Sequence, residues 1–335
     1  MKKFLVIQTA FIGDVIMATA VVEKLIKFYP DATIDFVVRN GNEGLLRNNP
    51  HINEVIIWNK KVDKNKNLLK VSAEIRRRKY DRVINLQRFF STGLMTFLSS
   101  AKSTAGFDKN PLSAFFSIKK THEVGLGREK EHHEVSRYLS LVEDITDAEF
   151  VGPKLYPREI DYEKAKFDGK YVTMGPSSVW YTKQHHKDKW VEFINKVPED
   201  TAVILIGGPG DRDLCDEIVE KVDRENMWNW AGKLSFLQSA ALMKGAVMNY
   251  VNDSAPQHMA SSMNAPVTAI FCSTIPEFGF GPLSTNSRIV EVKEDLSCRP
   301  CGIHGHKKCP KGHFKCSMDI DTNELLISDW KIKEA

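Results

Sequence analysis

The stretch Thr9–Asp14 places a carboxylate where a predicted strand passes into the first helix of the chain. An acidic residue at a helix start is commonly a cap, favoured by the free amides and the helix dipole. The loop has one glycine, Gly13, in place of the G-x-G-x-x-G sequence of dinucleotide binders, which disfavours a dehydrogenase. We expect Asp14 either to cap the helix or to present its carboxylate to a cleft between two domains.

A second stretch, Gly175–Trp190, follows a predicted strand and combines hydroxyl groups with an ammonium group. Ser177 and Ser178 can donate hydrogen bonds and Lys183 supplies a point charge, so these groups suit a diphosphate. The same residues equally fit a turn with a solvated lysine. Taken alone, this stretch leaves both interpretations open.

A third stretch, Asn252–Ala260, turns from a predicted strand into a helix. Free amides at such a helix start favour a phosphate. Asp253 or Ser254 as an N-cap, followed by Pro256, accounts for the residue types without any ligand. Capping does not explain His258, which lies one turn into the helix.

The loop Gly207–Asp213 is rich in glycine and joins a predicted strand to a helix. Asp211 is placed either to bind ribose hydroxyls or to serve as an acidic residue in the first helical turn, and Asp213 is a rival for the binding role. Such loops are informative because ligands of open α/β sheets bind beyond the carboxyl ends of the strands.

A cluster of cysteines and histidines occupies positions 298 to 316, and it comprises Cys298, Cys301, His304, His306, Cys309, His313 and Cys316. Cys-x2-Cys with further cysteine and histidine nearby can hold zinc tetrahedrally and brace a long loop. The second pair is spaced Cys-x6-Cys, which departs from common zinc ribbons. Reduced thiols and a disulfide are the alternatives, so the metal content is left open and no catalytic role is assigned.

The composition is that of a globular protein long enough for two domains, with 335 residues, 42% hydrophobic and 27% charged. The apolar amino terminus resembles a signal peptide, but Asp14 interrupts it and the alternation fits a strand followed by a helix. No run approaches the roughly 18 uninterrupted apolar residues of a membrane span. We therefore predict a cytoplasmic protein.

The net charge of +4 is spread unevenly along the chain. Between positions 60 and 88, Asp63, Glu74 and Asp81 are far outnumbered by basic residues. These are Lys60, Lys61, Lys64, Lys66, Lys70, Arg76, Arg77, Arg78, Lys79, Arg82 and Arg88. A solvated helix face and an anionic acceptor or membrane surface are both compatible with this excess. Nucleic acid is disfavoured because aromatic residues are not interleaved as a stacking platform.

Hydrophobic periodicity predicts two series of alternating strands and helices. The first has strands at 4–8, 33–38, 54–58 and 82–86, a helix from Val15 to Tyr29, and helices at 66–78, 91–100 and 132–144. The second, after Pro153 and Pro157, has strands at 170–174, 202–206, 246–251 and 267–271, and helices at 187–197, 211–222, 255–263 and 323–330. The predicted fold class is α/β, with two doubly wound Rossmann-like domains facing a central cleft.

Several of these stretches, taken in order, resemble the landmarks of the ADP-heptose:lipopolysaccharide heptosyltransferases of glycosyltransferase family 9. They are Phe11–Asp14, Ser177 to Lys183 and Trp190, Ala231–Ser235, Asn252 to His258, and the Cys-x-Pro-Cys and Gly-His-x-x-Cys ending. The resemblance runs from about residue 4 to 318. It implies a GT-B fold, here with an acceptor domain at 1–155, a nucleotide-sugar domain at 156–320 and a C-terminal helix at 321–335.

The resemblance also implies roles for individual residues. Asp14 would be the general base that takes the proton of the acceptor hydroxyl in an inverting displacement. Lys183 would stabilise the departing diphosphate, and no cofactor is expected. The implied substrate-binding positions are Gly13, Ser177, Ser178, Asp211, Asp253, Ser254, Ala255 and His258. The sequence departs from the family at Ala255, at Pro256, which has no amide to donate, and at His185, where relatives have tryptophan.

The implied partners are an ADP-sugar donor and an anionic lipid A-type acceptor, with no nucleic acid. We expect a monomer in peripheral contact with the cytoplasmic face of the inner membrane. The alternatives are another GT-B transferase or epimerase that uses a different nucleotide sugar, and a peripheral anion-binding protein whose transferase site has decayed. The joint presence of Asp14, Lys183, Asp253 and His258 disfavours decay.

Overall fold

The strands of this protein are short, apolar and largely buried, as expected for parallel sheets covered by helices. The computed structural model describes residues 1–328 and divides into two compact units, of which the first is Met1–Tyr156 and the second begins at Pro157. Within the described range, each unit contains one six-stranded sheet in which all neighbouring strands are parallel. The predicted α/β class with two doubly wound domains is thereby confirmed.

The first unit is built from β1 (Lys3–Ile7), β2 (Thr33–Arg39), β3 (Glu54–Trp58), β4 (Arg82–Asn85), β5 (Ser103–Phe107) and β6 (Ile118–Lys120). Its helices are α1 (Ile12–Phe28), α2 (Lys64–Arg78), α3 (Phe90–Leu98) and α4 (Glu134–Ser140). The strand order is β3-β2-β1-β4-β5-β6. Because the order reverses at β1, a crevice is expected between the carboxyl ends of β1 and β4, where ligands bind in folds of this type.

The second unit contains β7 (Tyr171–Gly175), β8 (Ala202–Leu205), β9 (Met227–Asn229), β10 (Asn249–Asn252), β11 (Val267–Phe271) and β12 (Ser287–Glu291). Its helices are α5 (Glu159–Lys164), α6 (Lys187–Ile194), α7 (Arg212–Glu220), α8 (Phe236–Gly245), α9 (Ala255–Ser262) and α10 (Lys315–Met318). The strand order is β12-β11-β10-β7-β8-β9, so the reversal falls at β7, between β10 and β8. The loops after β7, β8 and β10 therefore share one edge of the sheet.

Helix α1 is apolar on most of its circumference and is buried from Val15 to Val22. It ends at Phe28, before Pro30, which cannot continue a helix. No helix in the described part of the chain is both long enough and apolar enough to cross a membrane.

Helix α2 buries a narrow stripe formed by Leu68, Val71, Ser72 and Ile75. Its last residue, Arg78, makes ion pairs of 3.1 Å with Asp35, 2.5 Å with Glu54 and 2.5 Å with Glu74. Beyond the helix, Arg82 pairs with both carboxylate oxygens of Asp144, at 2.7 and 2.9 Å. Arg78 and Arg82 are thus internally compensated, and the free positive charge of this segment is smaller than the sequence predicts.

Four strands and three helices were not predicted from periodicity, namely β5, β6, β9, β12, α5, α8 and α10. Three-residue strands such as β6 and β9 are too short to show a period, and β5 is composed largely of small residues. The helix predicted at 132–144 is shorter, because α4 ends at Ser140 and Glu143–Ile145 is a separate 3-10 turn.

The predicted C-terminal helix does not begin at Asn323. Thr322–Leu325 forms one turn of 3-10 helix, and Leu326 is already extended. The rest of the helix predicted at 323–330, and the end of the segment 321–335, fall at residues 329–335, which lie outside the described residues.

Candidate active site

Asp14 lies in the first turn of α1, directly beyond the carboxyl end of β1. Its Oδ2 accepts a hydrogen bond of 3.1 Å from the backbone N–H of Phe11, so the carboxylate caps the helix. Gly13 beside it is buried, whereas Asp14 remains partly accessible. The capping role and an accessible carboxylate therefore coexist at this position.

The environment of Asp14 makes it a stronger base than an ordinary aspartate. Burial, and after it the negative charge of Glu134, raise the pKa of Asp14 to about 6. The hydrogen bond from Phe11 and the positive charge of Arg39 act in the opposite direction and are outweighed. A carboxylate with such a pKa is ionised near neutral pH and accepts a proton more readily than a solvated one, as a general base requires.

Glu134, the residue that most influences Asp14 after burial, is a fixed negative charge at the start of α4. Its Oε1 is 3.0 Å from His122 Nε2, and its Oε2 accepts a 2.6 Å hydrogen bond from Arg137 Nε. Burial alone would raise the pKa of Glu134, but these two partners hold it at about 2. Glu134 was not predicted from the sequence, although its spacing of three residues from Arg137 indicates an ion pair on one side of a helix.

The loop that carries Asp14 is held by a buried chain of amide and hydroxyl groups. Gln8 Nε2 donates to Tyr138 Oη at 2.9 Å, and Gln8 Oε1 accepts from the backbone N–H of Ala10 at 3.1 Å and from Gln87 Nε2 at 2.5 Å. Gln8 comes directly after β1, Gln87 comes shortly after β4, and Tyr138 lies on α4. The position of Asp14 is therefore fixed by side chains from three separate parts of the first unit.

Two cations lie beyond the neighbouring strand ends of the same sheet. The Arg39 guanidinium, at the end of β2, stacks 4.9 Å from the centre of the Phe11 ring. Lys60, just after β3, donates to the Thr9 carbonyl at 2.7 Å and lies 4.7 Å from the Trp58 ring centre. Burial, then the charges of Arg39 and Lys64, lower the pKa of Lys60 to about 8. Half-buried cations that repel each other are stabilised by a bound anion.

In the second unit, the structure brings together two of the residues predicted from separate stretches. Lys183 Nζ lies 2.6 Å from Asp253 Oδ2, and both side chains are largely buried. Thr274 Oγ1 donates to the same carboxylate oxygen at 2.7 Å. Asp253 therefore orients the Lys183 ammonium at the carboxyl ends of β7 and β10, and its role in substrate binding stays a prediction.

The loop with Ser177 and Ser178 is held by Asn252 at the end of β10. Its Nδ2 donates to the Pro176 carbonyl at 2.8 Å, and its Oδ1 accepts from the His185 N–H at 2.8 Å. Within residues 1–328, the hydroxyl groups of Ser177 and Ser178 make no hydrogen bond, and both residues are half-exposed. They are free to donate to a ligand.

Helix α9 begins beside this loop and carries Ser254 as its N-cap residue. The Ser254 hydroxyl does not bond to the helix amides, so it does not act as a conventional cap. Ala255 and Pro256 form the first turn and are half-exposed, whereas His258 is buried. Ser254 and Ala255 thus lie at the helix start as predicted, and His258 belongs to the packed side of the helix.

Asp211 closes a 3-10 turn, Pro209–Asp211, after β8. Its Oδ2 accepts a 2.7 Å hydrogen bond from the Gly208 N–H, which gives this carboxylate a capping role. Asp213 is exposed in the first turn of α7. The ribose-binding role of Asp211 remains a prediction. Its Oδ2 is engaged by the Gly208 N–H, so Oδ1 is the oxygen left for a ribose hydroxyl.

His185 is fully buried beside Trp190, with ring centres 5.5 Å apart. Burial, and then the charge of Lys189, lower its pKa to about 3, so the ring is neutral. His185 is therefore a neutral aromatic ring inside the core of the second unit.

The cysteine-rich segment packs against the Lys183 loop. The His306 N–H donates to Thr182 Oγ1 at 2.8 Å, and the Cys301 N–H donates to the Ser273 carbonyl at 2.8 Å. All six cysteines are free thiols. Across residues 1–328, no three His, Cys, Asp or Glu side chains are grouped so that they could hold a metal ion. The two hydrogen bonds give the segment a bracing role beside the Lys183 loop.

Comparison with known proteins identifies a consistent set of relatives. A family model described as glycosyltransferase family 9 (heptosyltransferase) matches residues 68–312. Lipopolysaccharide heptosyltransferase 3 of Escherichia coli (strain K12) is 29% identical over 280 residues, which cover 78% of this chain and 80% of that protein.

Two solved structures share the fold over nearly the whole chain. E. coli ADP-heptose lps heptosyltransferase II superposes with a TM-score of 0.80 at 21% identity, covering 100% of this chain and 99% of that one. E. coli heptosyltransferase WaaC with ADP superposes with a TM-score of 0.73 at 16% identity, covering 99% of each chain. These similarities confirm the GT-B fold.

Proposed function

Because this chain belongs to glycosyltransferase family 9, the heptosyltransferases, we propose that it transfers a heptose from ADP-heptose to a hydroxyl group of a lipopolysaccharide-core acceptor. Support for this donor and acceptor comes from the relatives, whose names specify lipopolysaccharide heptosyltransferases and of which one was solved with ADP. The observation that carries the proposal is Asp14, a partly accessible carboxylate with a pKa of about 6 at the carboxyl end of β1.

In the proposed reaction, Asp14 takes the proton of the acceptor hydroxyl as its oxygen attacks the anomeric carbon of the heptose. A new carbon–oxygen bond forms, the bond from that carbon to the diphosphate breaks, and ADP leaves with the electron pair. A single displacement of this kind inverts the anomeric centre. The raised pKa of Asp14 favours the proton transfer, because a stronger base has a larger driving force at neutral pH.

Lys183 is the residue that we assign to the departing diphosphate. Its ammonium is oriented by Asp253, and the hydroxyl donors Ser177 and Ser178 precede it on the same loop after β7. Negative charge grows on the leaving group in the transition state, so prearranged donors lower the barrier. Because the ion pair with Asp253 holds the Lys183 side chain, the ammonium is in place before the donor binds.

Arg39 and Lys60 are assigned to an anionic group of the acceptor. Both are half-buried near the Asp14 loop, and within residues 1–328 neither makes a direct ion pair. A sugar carboxylate or phosphate would relieve the repulsion that lowers the pKa of Lys60. An acceptor held in this way would place its hydroxyl near Asp14. We place the reaction in the cytoplasm, at the inner face of the membrane.

Substitution of Asp14 by Asn tests the proposal, because it removes the base while keeping the shape and the hydrogen bond from Phe11. We expect turnover of ADP-heptose to fall by about 10²- to 10⁴-fold, with ADP still raising the melting temperature as in the wild type. Unchanged turnover in the variant would refute the mechanism. Loss of both turnover and ADP binding would indicate a folding defect, and Asp31→Asn, an exposed aspartate, is the matched control.

A further inference from the structure

The first unit exposes four phenylalanine side chains close together in sequence. Phe89, Phe90, Phe97 and Phe115 are 52%, 55%, 51% and 61% exposed, respectively. Two of them are in contact, since the rings of Phe97 and Phe115 have centres 5.0 Å apart. Single exposed apolar residues are ordinary, but a group of large aromatic rings usually marks an interaction surface.

Helix α3 organizes this aromatic surface, which we define as Phe89, Phe90, Phe97 and Phe115. Phe90 and Phe97 are seven residues apart and therefore lie on the same side of α3. The opposite side is buried through Thr92, Met95 and Thr96. The exposed rings are thus a feature of a well-anchored helix, and packing in the core does not require them.

Helix α2 packs beside α3 and is strongly cationic on its exposed side. Both helices form crossovers in the same direction along the sheet and so cover the same face. The exposed basic residues of α2 are Lys64, Lys66, Lys70, Arg76 and Arg77. In the described part of the chain, none of these five makes an ion pair, because the one acid of the helix, Glu74, is engaged by Arg78. Leu69, 59% exposed, adds an apolar side chain among them.

We propose that the aromatic surface and the exposed cations of α2 together dock the protein on an anionic phospholipid bilayer. Phenylalanine rings partition into the boundary between headgroups and acyl chains, and lysine and arginine next to them pair with lipid phosphates. The charge complementarity favours lipid over a protein partner, because these cations are long, solvated and unpaired. The inference rests on the proposed function only for its purpose, which is to bring the enzyme to a lipid-anchored acceptor.

Vesicle flotation without donor or acceptor tests the docking directly. We expect binding to vesicles containing phosphatidylglycerol, at least 10-fold weaker binding to pure phosphatidylcholine, and weakening by salt. Phe90→Ser/Phe97→Ser/Phe115→Ser and Lys66→Glu/Lys70→Glu/Arg77→Glu should each reduce binding to the anionic vesicles at least 10-fold. The proposal is overturned if wild type ignores lipid charge, or if either triple variant binds as the wild type does.

Matched controls lie elsewhere in the chain. Phe28→Ser removes an exposed phenylalanine from α1, whose crossover runs in the opposite direction, and Lys2→Glu/Lys164→Glu/Lys244→Glu reverses three exposed lysines outside α2. Both controls should bind vesicles like the wild type, and weakened binding in either would contradict a localized surface.

Failure of docking and failure of the proposed function give different results. The phenylalanine triple variant should keep the thermal shift with ADP and should turn over a soluble, deacylated acceptor at the wild-type rate, while losing turnover of an acceptor embedded in vesicles. A wild-type protein that binds vesicles but transfers no heptose would refute the function and leave the docking surface intact. A phenylalanine variant with no ADP shift would be misfolded. Vesicle binding by Lys66→Glu/Lys70→Glu/Arg77→Glu would then test the docking.

Discussion

The charged groups at the carboxyl ends of the two sheets have different neighbours: like charges in the first unit and an ion-pair partner in the second. Around Asp14, burial and like charges act together: burial and then Glu134 raise the pKa of Asp14, and burial and then Arg39 lower the pKa of Lys60. In the second unit, Lys183 is matched by Asp253 at 2.6 Å. The first arrangement stores unfavourable interactions that a proton or an anion relieves, whereas the second holds a cation in place in advance. A base and an acceptor site benefit from the first, and stabilisation of a leaving group benefits from the second.

After the Asp14→Asn substitution, the largest effect is expected from breaking the ion pair between Lys183 and Asp253. Lys183→Met should lower kcat by about 10²- to 10³-fold, because a prearranged donor to the leaving group is lost. It should also destabilise the fold by about 3 kcal/mol, since Asp253 is left as an unpaired buried carboxylate. Lys183→Met/Asp253→Asn should recover stability in thermal melts without recovering turnover. Recovery of both would assign Lys183 a structural role.

A smaller effect is expected at the acceptor cations. Lys60→Met should raise KM for an anionic acceptor about 10-fold, the loss expected for one charge-assisted hydrogen bond, and should leave the ADP affinity unchanged. Lys61→Met, at an exposed neighbouring lysine, is the control and should leave KM as it is. An equal change in the two variants would argue against a specific anion site.

A substitution at Glu134 changes the charge near Asp14 and leaves Asp14 itself in place. Glu134→Gln removes the negative charge that raises the pKa of Asp14, so the acidic limb of the kcat/KM profile should move to lower pH. The other charged group that acts on Asp14 is Arg39, which lowers its pKa. A purely structural role for Glu134 would lower activity equally at every pH. Glu134→Asp should restore the wild-type limb.

The smallest predicted effect is on stability. The pKa of Asp14 is raised in the folded state, so its ionisation costs folding energy as the pH rises from about 4 to 6, and the cost is complete above 6. Asp14→Asn should therefore stabilise the protein at pH 7.5 by about 1 kcal/mol, or a few degrees in melting temperature. This is less than the roughly 3 kcal/mol that a shift of about two pKa units would give, because Asp14 is partly accessible and solvent screens its charge. The gain should disappear near pH 4. A variant less stable than wild type at pH 7.5 would contradict this account.

The positions of Asp14 and Lys183 could be predicted because each follows a buried strand, and strand ends of a doubly wound sheet share one edge. The partners that tune them could not. Glu134 lies 120 residues from Asp14, and only the packing of α4 on α1 brings it near. Asp253 was predicted as a substrate-binding residue or an N-cap, and its ion pair with Lys183 could not be told from a cap in the sequence.

The pH dependence of kcat/KM for wild type and Glu134→Gln tests the central claim most directly, because it reports the pKa of the base in the free enzyme. For the wild type, we expect an acidic limb with a pKa of about 6, which is the pKa of Asp14. In Glu134→Gln, the limb should lie at lower pH. A wild-type limb near pH 4, or one that the substitution leaves in place, would contradict the assignment of Asp14 as a base tuned by Glu134.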